Sequence, residues 1–129
     1  NHKVNEKEIG RMKFYNGLEL VENLNKISEE IEAIFNSYKG EELSYVDSII
    51  MDRLETEAHI IKKALEENGL YGVFQDYVKA LEDIQVISDK IEFGVAKFRP
   101  AFYIAMELAE DRYRKAKGYL MSKEVLVDL

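Results

Sequence analysis

Leu20, Leu24, Ile27, Ile31, Ile34 and Tyr38 recur four and three residues apart, an unbroken apolar stripe along one face of a helix. Asn5 and Glu8 stand at capping-box spacing, so this first helix is predicted to begin near Asn5. Asn16-Gly17 is a candidate break within it, because glycine is a poor interior residue. Lys39-Gly40 ends it, with Gly40 as the left-handed cap.

Ser44, with Asp47 three residues on, opens a second helix that buries Val46, Ile50, Leu54, Ala58, Ile61 and Leu65. Asn68-Gly69 closes it, and Leu70 is placed to pack back on the last turn in a Schellman motif. The third helix runs from about Gly72 and presents Phe74, Tyr77, Leu81, Ile84, Ile87 and Ile91. Gly94 caps it, Val95–Arg99 forms a turn and Pro100 starts the fourth helix. The rival reading, one long helix kinked at Pro100, leaves partners of unequal length. Helix four carries Phe102, Ala105, Ala109, Tyr113, Ala116 and Leu120, with Ile104 and Leu108 widening the face. No segment alternates with period two for long, so little or no sheet is expected. The tail from Ser122 to Leu129 is apolar enough to dock on the bundle.

Short connections make sequential helices antiparallel neighbours. The fold predicted is an all-α, up-down bundle of about four helices, formed by residues 1–129 as one domain.

Composition agrees. One proline and seven glycines leave few places to turn, and the 47% apolar content suffices for one core. The absence of cysteine excludes disulfides, thiolate metal sites and a Cys nucleophile. The longest charge-free run, Asn68 to Gln75, is eight residues, well below the ~20 that span a bilayer. With no signal-peptide pattern, the cytosol is the expected compartment. Net charge is −7, and residues 41–70 hold eight acids against three bases, so nucleic acid and membranes are poor partners.

Candidate chemistry is sparse. Glu55 and His59 stand one turn apart among charged neighbours, opposite the apolar stripe of helix two. Di-iron bundles repeat Glu-x-x-His on partner helices, whereas this Glu-x-x-x-His spacing occurs once and faces outward, the pattern of a solvated surface. A carboxylate-metal bundle is kept only as an alternative, and no cofactor is expected. Arg53 and His59 have five residues between them. This pair resembles the active-site pattern of the helical ribonuclease class called HEPN, in which a polar residue usually follows the Arg. Leu54 follows it here. The resemblance implies a ribonuclease that uses Arg53 and His59. Six residues along a helix turn side chains ~120° apart, so convergence requires a distorted helix or a dimer. Adjacent acid pairs such as Glu66-Glu67 read as solvated faces, and no nucleotide loop or nucleophile elbow is present.

The basic run Arg112, Tyr113, Arg114, Lys115, Lys117, Tyr119 has the makings of a stacking surface for single strands, though cations near a helix C-terminus also complement its dipole. Three charges break apolar faces: Glu57, with Arg53 one turn away, and Arg112. They pair at the rim, or form a buried polar network or pocket. Phe14, Leu18 and Val21 form a second stripe on helix one, and Val86 and Phe93 sit on the outer face of helix three. This surplus points to a partner surface, most simply a homodimer, with another protein as the alternative partner. The function expected is a non-enzymatic interaction or scaffold protein without catalytic or metal residues.

Overall fold

A computed structural model describes residues 8–9, 12–95 and 99–129. In chain order the elements are β1 (Glu8–Ile9), β2 (Met12–Asn16), α1 (Gly17–Tyr38), α2 (Tyr45–Glu67), α3 (Tyr71–Glu92), α4 (Arg99–Ser122) and β3 (Glu124–Val127). Four antiparallel helices form the bundle, and a small antiparallel sheet of order β1-β2-β3 closes one end.

The helix ends follow from local chemistry. Ser44 Oγ accepts the Asp47 amide at 3.2 Å, as its position predicts. At the close of α2, the Leu70 amide donates to the Leu65 carbonyl at 2.8 Å and the Gly69 amide to Glu66 at 3.2 Å, the Schellman pair. The same pair recurs at Gly94 and Val95, so α3 stops there and α4 begins at Arg99. The turn reading therefore holds over the kinked helix, with residues 96–98 outside the described set. Lys39, at φ 42°, rather than Gly40 alone, takes the left-handed conformation that ends α1.

The N-terminal expectation is overturned. Asn5 lies outside the described residues, but Glu8–Ile9 and Met12–Asn16 are strands, not helix. The cap is Asn16, whose Oδ1 accepts the Glu19 amide at 2.8 Å while its Nδ2 donates to Glu19 Oε1 at 3.0 Å. Asn16-Gly17 is thus the start of α1, not a break within it. The sheet was missed because its strands are short and β2 pairs with the far end of the chain, Tyr15 opposite Val125 and Phe14 opposite Leu126. Local periodicity carries no trace of such a partner. The tail does dock, as strand β3, with Val125 and Val127 turned inward.

The core is concentrated at the sheet end. Leu20, Leu65, Leu70 and Leu120 are sealed there together with Val21 and Val125. Each helix packs chiefly on its hairpin partner, α1 on α2 and α3 on α4, and contacts between the two hairpins are sparse. Away from the sheet no described residue is fully buried in α1 beyond Ile27, in α2 before Met51, in α3 beyond Ala80 or in α4 before Ala109. Two two-helix arms therefore extend from a shared base.

Candidate functional site

Helix α2 places Arg53 and His59 on different surfaces. Arg53 and Glu57 line a cleft of about 260 Å³ that faces α1, opposite Asn23, Lys26 and Glu30. His59 lines a separate groove of about 440 Å³ with Met12, Lys63 and Leu126, where α2 meets the sheet. A regular helix over these residues gives the angular separation expected of an undistorted one, and a single chain does not bring the two side chains together. Glu55 and His59 are both exposed, and among the described residues no three potential ligands cluster for a metal.

The predicted polar network separates as well. Arg53 is exposed and Glu57 half-buried, and no charged side chain among the described residues is buried. Arg112 keeps its stem beside Val73 and Ala116 and carries its exposed head to 3.8 Å from Asp83 on α3. Desolvation explains this outcome: at the edge of a two-helix contact a long cation keeps its head in water while its stem covers apolar surface. The rim arrangement holds for Arg112, and Arg53 and Glu57 belong to an open cleft.

The basic tyrosine run is folded into its own hairpin. Tyr113 stacks on Tyr77 with ring centroids 5.2 Å apart. Asp111 holds Lys115 at 3.0 Å and Arg114 at 3.8 Å. Lys117 lies over the Tyr113 ring and Lys123 over the Tyr119 ring.

The predicted partner surface divides. Leu18 is 9% exposed and Val21 is fully covered, both inside the cluster that contains Val125 and Val127. They are core, not interface. Their second stripe exists because α1 must pack on α2 with one face and on the sheet end with another. Phe14 is half-buried on the strand. Val86 and Phe93 remain in water, Phe93 at 78%.

No family model matches this chain, and neither a curated protein nor a solved structure does. Any site must be read from the surface itself.

That surface has a pattern which sequence reasoning missed. Most of the large exposed apolar side chains lie on the two arms, away from the sheet. Phe35, Tyr45, Val46 and Ile49 crown the α1–α2 hairpin, with Tyr45 at 81%. Val95, Tyr103, Ile104 and Leu108 join Phe93 on the α3–α4 hairpin. Val46, Leu81, Ile104 and Leu108 are exposed, although the periodicity places them on apolar faces expected to be buried. The signal was available: apolar arcs this wide exceed what one antiparallel partner helix can cover. Tyr38 locks the first crown, its hydroxyl donating to the Asp47 carboxylate beside Ser44.

Proposed function

We propose that this chain is a non-enzymatic helical interaction protein, working in the cytosol as a self-associating module. One observation carries the reading: at the arm ends large apolar side chains stand in water and no described residue is fully buried. Monomers rarely leave such surface uncovered unless it meets a partner. Among the described residues no helix is long and apolar enough to cross a membrane.

The test is mass in solution. Light scattering across the micromolar range should give more than the 15.0 kDa of one chain. A ribonuclease assay on the wild type and on His59→Ala runs beside it. Strict monomers would remove the self-association reading, and hydrolysis that disappears in His59→Ala would replace it with the ribonuclease.

A further inference from the structure

The base of the molecule fixes where the arms end. Gly17, Leu70 and Leu120 meet at the sheet, so the α1 N-terminus, the α2–α3 turn and the α4 C-terminus share one end. The 39–44 connection and the end of α3 therefore share the other, about 33 Å away for a helix of 22 residues such as α1. Two apolar crowns stand at that end.

Their charge balance differs. Residues 28–50 contain six acids, among them Glu41, Glu42 and Asp47, and a single cation, Lys39. The described residues from Asp89 to Glu107 at the other arm end contain three acids, Asp89, Glu92 and Glu107, against two cations, Lys90 and Arg99. Like arms would place acid against acid on the α1–α2 side. Unlike arms place the acidic end against one that is nearly balanced.

Resting on the interaction reading above, we propose that two copies dock head to head about a two-fold axis, the α1–α2 arm of each on the α3–α4 arm of the other. A second copy fits where another protein is not required, because one chain carries both apolar crowns and the unlike pairing keeps the two acidic ends apart. A two-fold axis then uses each crown once and closes the assembly. Two half-packed hairpins become a four-helix bundle at each contact, which covers the arcs that one partner helix leaves open. The area is sufficient. Phe35, Tyr45, Val46 and Ile49 on one arm are each more than half exposed, as are Phe93, Val95, Tyr103 and Ile104 on the other. At on the order of 100 Å² each they offer about 800 Å² per copy, the share a stable interface takes from one partner.

The experiment disables one arm at a time. Val46→Glu with Ile49→Glu blocks the acidic arm, and Phe93→Glu with Ile104→Glu blocks the other. All four positions face water in one chain, so circular dichroism should stay unchanged. Each double variant should dimerise about 100-fold more weakly. An equimolar mixture of the two should regain dimers, because one contact in the mixed pair joins two intact arms. The chain has no cysteine, so a conservative pair gives a second readout. Ile49→Cys mixed with Ile104→Cys should cross-link on oxidation, while neither does so alone. A wild type that never dimerises fails the underlying reading. A dimer that survives loss of the α1–α2 arm, or cross-links in Ile104→Cys alone, leaves self-association standing and overturns this arrangement. Sedimentation with phosphatidylserine vesicles by a monomeric wild type would put a lipid surface in place of the second copy.

Discussion

Gly17 lies flat against the main chain of Leu120: a Cβ at residue 17 would stand 2.8 Å from the Leu120 carbonyl oxygen and 3.2 Å from Leu70 Cδ1. The Gly17 amide also donates to the Lys123 carbonyl at 2.9 Å. The start of α1 is thereby joined to the end of α4. Backbone cannot yield as a side-chain tip can, so Gly17→Ala should cost about 1–3 kcal/mol despite alanine's better helix propensity. Thermal or urea unfolding measures it. A neutral or stabilising result would show that the two chain ends are not pressed together.

The same contact separates what the sequence conveys from what it does not. Four stripes, the Ser44 cap and two glycine-ended Schellman turns can be read locally, since each rests on residues within one or two turns. Gly17 reads locally as a breaker. The Asn16 and Glu19 spacing is the local sign of a start there, and Leu120, about a hundred residues away, is what requires glycine at residue 17. Leu18 and Val21 mislead for the same reason: the cluster that seals them includes Leu120, Val125 and Val127, all remote in sequence. The exposed crowns fail in the opposite direction, because periodicity shows that Ile104 and Leu108 are apolar but not how many partner helices exist to cover them.

Leu18 and Val86 offer a direct comparison of core and surface. Leu18 is 9% exposed and Val86 is 51% exposed. Leu18→Glu buries an unpaired carboxylate and should cost at least about 3 kcal/mol. Val86→Glu should stay within about 0.5 kcal/mol. Denaturant midpoints compare the two, and equal losses would contradict the assignment of α1's second stripe to the core.

Lys39 pays for its conformation. At φ 42° and ψ 45° it sits in the left-handed region, where a Cβ is crowded by its own main chain. Lys39→Gly removes that strain and should stabilise by about 0.5–1 kcal/mol net of glycine's greater freedom when unfolded. A lower melting temperature would mean that its side chain makes a compensating contact.

Tyr77 predicts an alkaline limit. Burial pushes its hydroxyl up to about 12, helped by the hydrogen bond with Tyr113, by Tyr113's charge and by Glu22 on α1. The folded state favours the neutral phenol, so the stabilisation is complete below the ordinary tyrosine value of about 10. It is lost as pH rises through about 12. Melting temperature should therefore fall between those values, and the fall should be shallower in Tyr77→Phe. Parallel profiles in the two proteins would assign the alkaline loss to other groups.

The last strand tests the docking of the tail. Val125 and Val127 are 1% and 3% exposed, while Leu126 between them is half-buried on the other side of the sheet. A strand turns successive side chains to opposite faces, so the cost of truncation should alternate with period two. Val125→Ala and Val127→Ala each remove two methyl groups from a sealed site and should cost about 1–3 kcal/mol. Leu126→Ala removes more carbon, yet it should cost less than either, because part of that surface already meets water. Urea midpoints of the three variants are enough to decide. Losses that scale with side-chain size instead of alternating would mean the tail lies on the bundle without β2 pairing, and Leu18 and Val21 would then need a different cover.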